Sequence, residues 1–585
     1  MPTEEEQILS AIRGHHSFFL MAGAGAGKTW ALKETLGALS KGKAYKEGLL
    51  FGGQRIAAIT YTNNAANEIR RRVDSDPAFW ISTVHAFAWE CIRPYFENIR
   101  SYLIDVYFAP RAGDSTKKIL EREEKKKKIT EMGETFFVYN PIGSNDKDNS
   151  LQHDEVISAF AWFLENKPAF QKIVLADFPI ILIDECQDTA KEAVNALFNL
   201  LQRDPEKLLL GMFGDTMQTI YFSGEDNLQK MMEENHFIRI DKTINHRSAD
   251  RIIELGNSIR ALAGRSAEMQ TKGGQETGEG VVRFFLIPQK EYDFSIERKA
   301  SDFMKDLVGQ NWDNVNKAIA NKNYPRELAL THKMAARRGD FSALYSSFSK
   351  SQKDSMGDET SPIFNFLKDY VTRLYDAFVQ KDFFLLTGVV QNGIDAEVLS
   401  KKDVPDLFRK TVSELDALPK PYSIRDFISP FIRNHLLHFG EDITNAILHP
   451  DPEDENQNFL GQSVSEAINL VDHYSDDSLY FTQQGVKGLE FNNVIVIIND
   501  AEAAADRYWA FKYSDLFSSG PASLKSKCLF YVQCTRAKEA VAVVAYMNPT
   551  DCKTFRTNLI SYHIAKKEEV LLFDAEKRKF ELCPV

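Results

Sequence analysis

Seven short apolar runs, at residues 17–21, 56–61, 178–183, 208–213, 328–331, 493–498 and 541–546, alternate with stretches whose apolar residues recur at helical spacing. That alternation predicts βαβ units with parallel strands, grouped towards the two ends of the chain as two α/β sheets. The run Ile180-Ile-Leu-Ile183 has no polar residue on either face, as a strand covered on both sides requires. Two other stretches read as helical insertions. Residues 89–153 are charged and broken by Gly and Pro, and residues 346–475 carry aromatic-rich segments such as Phe364-Asn-Phe-Leu-Lys-Asp-Tyr-Val371, whose stripes are core rather than ligand site. In the charged run 119–128, Glu121/Lys125, Glu123/Lys127 and Glu124/Lys128 are spaced i,i+4, which predicts a solvated helix rather than a dedicated nucleic-acid patch.

Composition narrows the class. At about 150 residues per domain, 585 residues allow about four domains, and 43% hydrophobic content excludes intrinsic disorder. A formal net charge of -12 means that any nucleic-acid contact uses a local basic patch inside an acidic envelope. The cysteines (Cys91, Cys186, Cys528, Cys534, Cys552 and Cys583) form no CxxC pair, which predicts a reducing compartment and no structural zinc. The opening residues lack the basic and apolar regions of a signal peptide, and no apolar run approaches the ~18 residues of a membrane span. The expectation is a cytoplasmic protein without membrane contact.

Ala22-Gly23-Ala-Gly25-Ala-Gly27-Lys28-Thr29 follows an apolar run and opens a helical one. In that context the glycines let backbone N–H groups close around phosphates, Lys28 reaches the β/γ oxygens and Thr29 offers a hydroxyl to Mg²⁺. The first position is Ala rather than Gly, a relaxed form of the pattern. Ile180-Ile-Leu-Ile-Asp184-Glu185 supplies the partner: at a buried strand's end, Asp184 can hold Mg²⁺ and Glu185 can polarise the attacking water. Taken singly, the first segment could be a Gly/Ala-rich turn and the second a strand closing in a turn. Together they predict ATP hydrolysis.

Asp184-Glu-Cys-Gln-Asp188 and Phe213-Gly-Asp-Thr-Met-Gln218-Thr-Ile-Tyr221 resemble the superfamily 1 DNA helicases of the UvrD/Rep/PcrA type. Further matches follow in the family's order: Gln7, Thr60-Tyr-Thr-Asn63-Asn-Ala-Ala66, Thr83-Val-His85, Asn245-His-Arg247-Ser248, Thr482 through Lys487-Gly-Leu-Glu490-Phe491, and Tyr531-Val-Gln-Cys-Thr535-Arg536-Ala537. The resemblance implies two RecA-like parallel-sheet domains, each interrupted by a helical insertion: 1A at 1–88 and 154–240, 1B at 89–153, 2A at 241–345 and 476–585, and 2B at 346–475. It implies that Gln7 reads adenine, that Ala22, Gly23, Gly25, Gly27, Lys28 and Thr29 cradle the phosphates and metal, and that Gln218 senses the γ-phosphate. Glu490 would meet the ribose, and Arg247 and Arg536 would act as arginine fingers. On the DNA side, Thr60, Asn63, Thr83, His85 and Thr482 match positions that touch phosphate or sugar, while Tyr61, Tyr221 and Phe222 are placed to stack on bases.

Four positions depart from the family's pattern: His246 where a tyrosine usually meets adenine, Asn64 for a lysine, Gln484 for a histidine, and Phe222-Ser-Gly224 for a longer aromatic-Arg-Gly segment. None touches Lys28, Asp184, Glu185 or Arg536, so the expectation is intact hydrolysis with weakened unwinding. The resemblance further implies movement on single-stranded DNA and at single/double-strand junctions, 3′ to 5′. The short insertions resemble small UvrD-like proteins of bacterial anti-phage systems of the Gabija type, paired there with an OLD-family nuclease. The rival expectation is therefore a DNA-sensing regulatory ATPase that controls a partner nuclease. A phosphate-loop enzyme of small-molecule metabolism would leave the Arg247 and Arg536 motifs unexplained.

Overall fold

The apolar runs become the central strands of two sheets. The computed structural model describes residues 2–582 apart from 61–62, 74–75, 112, 133–135, 140–148, 221–226, 274–277, 313–323, 355, 358–360, 392–403, 450–456, 476 and 507–510. Its contacts divide the chain into two compact units, one of residues 1–282, 514–539 and 558–566, the other of 283–513, 540–557 and 567–585.

The first unit holds strands β1 (Phe18–Ala22), β2 (Ile56–Thr60), β3 (Phe79–Thr83), β4 (Ile180–Asp184), β5 (Leu209–Gly214) and β6 (Ile238–Lys242), and a short pair, β7 (Ile244–Asn245) with β8 (Thr271–Lys272). The six long strands form one sheet in the order β3-β2-β4-β5-β1-β6, with every neighbouring pair parallel. Alternation along the strands feeds two cores. Phe18, Leu20, Ile180, Leu182 and Phe213 pack with Ala31, Leu32 and Leu36 of the helix Lys28–Leu39 on one face. Phe19, Met21, Ile181, Ile183 and Met212 pack on the other with Val156 and Phe160 of the helix His153–Asn166. The sheet closes tightly at Gly211 of β5, where a Cβ would lie 2.5 Å from Leu182 Cδ2 and 2.6 Å from Phe18 Cζ.

Tyr102, Leu103, Phe108 and Ile129 of the first insertion join the second of these cores, so the insertion is anchored by its apolar side. Its charged helix, Thr116–Glu131, is exposed along most of its length. Glu124 and Lys128 pair at 3.2 Å as their spacing predicts. Lys125 instead approaches Glu155 at 3.9 Å and lies over the Phe108 ring at 5.4 Å, and Glu121 turns to Lys117 at 3.9 Å. Lys125 thus leans towards the anchoring side of the insertion while its side chain stays more than half exposed.

The second unit is built on β9 (Val281–Ile287), β10 (Arg326–Ala329), β11 (Tyr480–Thr482), β12 (Phe491–Ile498), β13 (Ala537–Tyr546), β14 (Val570–Asp574) and β15 (Lys579–Leu582), in the order β11-β10-β12-β13-β9-β14-β15. β14 runs parallel to β9, and β15 returns antiparallel at the edge. The helices between β10 and β11 form a separate core around Phe364, Leu367, Val371, Phe427 and Phe431, so the aromatic stripes of that stretch are packing residues. The chain enters this helical body through the helix His332–Arg338 and leaves through Val464–His473. There His332 Nδ1 lies 3.0 Å from His473 Nε2. Burial pushes His332 down to about 4, and burial together with the charge of His332 pushes His473 down to about 3. Among the described residues no helix is long and apolar enough to cross a membrane.

Candidate functional site

The parallel order brings the C-terminal ends of β1, β5 and β4 side by side, the edge at which α/β sheets take ligands. From β1 the chain enters the glycine-rich loop and then the helix Lys28–Leu39. Gly25 (φ 74°) and Gly27 (φ 82°) take the left-handed conformation, which turns successive N–H groups towards one concavity at a helix N-terminus. Lys28 is buried, with Nζ donating to the Ala22 carbonyl at 3.3 Å and 3.7 Å from Glu185 Oε1.

β4 ends in Asp184, whose Oδ2 accepts from the Thr29 hydroxyl at 2.8 Å and whose Oδ1 accepts from the Glu185 N–H at 3.0 Å. Burial, with the Glu185 charge beside it, raises the Asp184 carboxyl above the usual carboxylate range. Glu185 itself has φ 49°, an uncommon conformation for a residue with a Cβ. Gln187 Nε2 donates to Glu185 Oε2 at 2.6 Å and Gln187 Oε1 accepts the Asp215 N–H at 3.2 Å, so one amide joins the ends of β4 and β5. Gly214 makes this contact possible: a Cβ there would stand 2.7 Å from Gln187 Oε1.

Thr29 and Asp184 are the two protein oxygens that fit Mg²⁺. Among the described residues no group of three or more His, Cys, Asp or Glu side chains could hold a metal unaided. A hard cation here would complete its shell with phosphate and water, as Mg²⁺ does in such sites.

After β5, Gln218 Nε2 donates to Asp215 Oδ2 at 2.8 Å, and Gln218 Oε1 lies 3.5 Å from an Arg536 nitrogen. Arg536 is buried, and burial reinforced by the Arg247 charge pushes it down to about 9. A cation held under such strain favours an arriving anion. Arg247 donates to the Thr535 carbonyl at 3.4 Å, and the backbone N–H of His246 donates to the Gly25 carbonyl at 3.0 Å. The segments carrying Arg247 and Arg536 thus share a compact unit with the phosphate loop. Gln7 sits half-buried on the first helix, Glu4–Arg13, which Glu5 fastens to Lys242 at 2.8 Å.

Thr60, at the end of β2, and His85 line a cavity of about 980 Å³ together with Tyr107, Phe108, Arg111 and Lys125 of the first insertion. Burial and the neighbouring His153, whose ring lies 4.6 Å away, push His85 down to about 4, so it enters this cavity as a neutral group. Asn63 is exposed at the start of its helix, and Thr83 caps the next helix by accepting from the Ala86 N–H at 3.4 Å. Thr482, in the second unit, accepts from the Gly485 N–H at 3.0 Å, and Glu490 is exposed in that unit. Tyr61, Tyr221 and Phe222 lie outside the described residues.

The sequence reading assigned no role to Gln187, Asp215, Arg260, Gln270 or Tyr531, all part of the same buried assembly. Gln187, Asp215 and Tyr531 stood inside the quoted motifs. Nothing in the sequence distinguished Arg260 from an ordinary helix-surface arginine.

A phosphate loop at the end of β1, a carboxylate pair at the end of β4, the part-buried Arg247 and the buried Arg536 beside them form a site of the layout that binds and hydrolyses a nucleoside triphosphate, in keeping with the resemblance to UvrD/PcrA-like helicases. A family model described as an AAA domain matches residues 5–224. The chain is similar to the Gabija protein GajB of Bacillus cereus (strain HuB5-5), 23% identical in an alignment spanning 93% of this chain and 95% of that protein. It is also similar to the ATP-dependent DNA helicase PcrA of Bacillus subtilis (strain 168), 26% identical over 41% of this chain and 37% of that protein. PcrA of Leuconostoc citreum matches at 26% over 47% of this chain and 41% of its own length. The chain therefore spans less than half of the PcrA relatives but nearly all of GajB.

Proposed function

We propose that this chain hydrolyses ATP in response to single-stranded DNA and moves along it 3′ to 5′. The observation that carries the hydrolytic part is the convergence of Lys28, Asp184–Glu185 and the Gln218–Arg536 pair on one buried edge of the first sheet. The loop N–H groups and Lys28 bind phosphate, and Glu185, oriented by Gln187, accepts the proton of the attacking water. Arg536 and Arg247 balance charge that grows on the transferred group. Mg²⁺, held through Thr29 and Asp184, would neutralise phosphate oxygens. Gln7 and the exposed His246 would meet the base, and Glu490 the ribose. In this reading 1A comprises 1–88 and 154–240, 1B 89–153, 2A 241–345 and 476–585, and 2B 346–475.

For DNA, Thr60, Asn63, Thr83, His85 and Thr482 contact the backbone and Tyr61, Tyr221 and Phe222 stack on bases, which suits a motor indifferent to sequence. The test is ATPase rate with and without single-stranded DNA, beside DNA binding at about 50 and about 300 mM salt. Several-fold stimulation and salt-weakened, sequence-tolerant binding are expected. DNA-independent turnover, or salt-insensitive binding, would refute the assignment.

A second reading is favoured by the match along nearly the full length of a Gabija protein. In it the chain is a DNA-sensing ATPase subunit in the cytoplasm that controls a partner nuclease of the OLD family and unwinds little alone. The acidic stretch Asp451, Glu453, Asp454 and Glu455, the sequence basis for a protein-facing second insertion, lies outside the described residues. Unwinding of a 3′-tailed duplex of about 20 bp, a length over which duplex stiffness matters, by the chain alone and with its genomic neighbour separates the readings. Fast unwinding alone, unaffected by the neighbour, rejects the second.

A further inference from the structure

Arg260 lies within the helix Asp250–Leu262 and is fully buried. One terminal nitrogen donates to Asp215 Oδ2 at 2.6 Å and to the Tyr531 hydroxyl at 2.6 Å, and the other to Glu268 Oε2 at 3.3 Å. Its guanidinium carbon stands 4.5 Å from the centre of the Tyr531 ring. An ion pair so completely removed from water contributes little net stability, and its best-attested use is to fix one arrangement of its neighbours.

Two segments are fixed here. Asp215 Oδ2 also accepts from Gln218 Nε2 at 2.8 Å. A carboxylate only accepts, so Gln218 must present its NH₂ to Asp215 and its carbonyl oxygen to Arg536. On the other side, the Tyr531 oxygen accepts the N–H of Ala24 in the phosphate loop at 3.2 Å. The Ala24 carbonyl accepts from Asn245 at 2.9 Å and Gln270 at 3.0 Å, so this loop residue is held at both backbone groups. Gly23 gives separate support: a Cβ there would lie 2.8 Å from the Arg260 nitrogen and 2.6 Å from Gln270, so the glycine leaves room for the guanidinium to approach the loop.

We propose that Arg260 is a positioning residue for hydrolysis, holding the phosphate loop through Tyr531 and the Gln218 amide through Asp215 in one register. The inference rests on the reading of this site as an ATPase. Tyr531 lies on the helix Pro521–Cys534, which leads directly to Arg536, so the same clamp sets the loop against the arginine. Displacing the loop from that register by a fraction of an ångström changes the reaction more than the binding of phosphate, because only the transition state needs every group at once.

The test measures steady-state ATPase and the affinity for a fluorescent ATP analogue in Tyr531→Phe, Arg260→Lys and Arg260→Met of the full chain. Tyr531→Phe removes one oxygen and keeps the ring, so it tests the clamp even if Arg260→Met fails to fold. It is expected to lower kcat roughly tenfold with nucleotide affinity within about threefold. Arg260→Lys can keep the pairing with Asp215 but not the reach to Tyr531. It should fall to about the level of Tyr531→Phe, and the double variant should be no worse than either single change. Wild-type kcat in both Tyr531→Phe and Arg260→Lys would overturn the proposal. So would losses of kcat and affinity in equal proportion, the mark of a merely structural role. Wild-type turnover in Lys28→Ala would instead overturn the ATPase reading beneath it.

Discussion

Gly25 offers a quantitative check on the geometry of the loop. A methyl group added there would sit 2.6 Å from Asn245 Oδ1 and 2.7 Å from Arg247 Cβ, on a residue whose φ is 74°. The left-handed conformation alone costs alanine about 1 kcal/mol relative to glycine. Relieving the clash means withdrawing Asn245 Oδ1, which accepts the N–H groups of Arg247 at 2.8 Å and Ser248 at 3.1 Å. At about 1 kcal/mol net for each bond, the total for Gly25→Ala is about 3 kcal/mol. Gly42, with φ 72° and nothing within 4 Å of an added methyl, isolates the backbone part, so Gly42→Ala should cost about 1 kcal/mol. The difference of about 2 kcal/mol corresponds to about 3 °C in a unit of this size. Differential scanning calorimetry of both variants, with ATPase assays in parallel, tests it. Gly25→Ala is expected to melt below Gly42→Ala and to lose turnover, because Arg247 moves with Asn245. Equal melting temperatures with full activity would refute the close approach of Asn245 to the loop.

The remaining predictions concern chemistry and pH. Lys28→Ala should abolish turnover through lost phosphate binding, whereas Glu185→Gln should keep nucleotide affinity and lose kcat; more than roughly a tenth of wild-type kcat in the latter would remove Glu185 from its role. Arg536→Ala should lower kcat strongly with ATP affinity within a few fold, and a large loss of affinity with kcat preserved would make it a ground-state ligand instead. The His332–His473 pair is held neutral, at about 4 and about 3 against 6.5 for an unhindered histidine. Between those values the unfolded chain binds more protons, so stability is full well above pH 6.5 and falls as the pH drops towards 4, by on the order of 1 kcal/mol per histidine at pH 5.5. Urea midpoints at pH 7.5 and 5.5 should therefore differ less in His332→Gln than in wild type, and an unchanged difference would contradict the assignment.

What could be read from the sequence follows the reach of each physical signal. β1, β2, β4 and β5 were legible to within a residue or two because strands buried on both faces are unbroken apolar runs. β3 and β6 were not, since edge strands such as Ile238-Arg-Ile-Asp-Lys242 mix charge into a short alternation. The phosphate loop and Asp184–Glu185 were legible because their chemistry is carried by neighbouring residues. Arg260 was not, because its meaning depends on Asp215 and Tyr531, 45 and 271 positions away. Likewise Lys125 fits an i,i+4 pair in one dimension, and only the fold shows it turning to Glu155.

The hairpin of β14 and β15 bears on how the protein behaves at high concentration. An exposed sheet edge invites another chain to add a strand, and with it fibre formation. Here the outermost strand is four residues long, and Glu581 engages Lys577 at 2.7 Å and Lys579 at 2.9 Å. A strand arriving at this edge would have to strip water from that charge cluster and would find few backbone groups to pair with. Self-association by strand addition is therefore discouraged along this border, which leaves side-chain surfaces rather than the open sheet to mediate assembly.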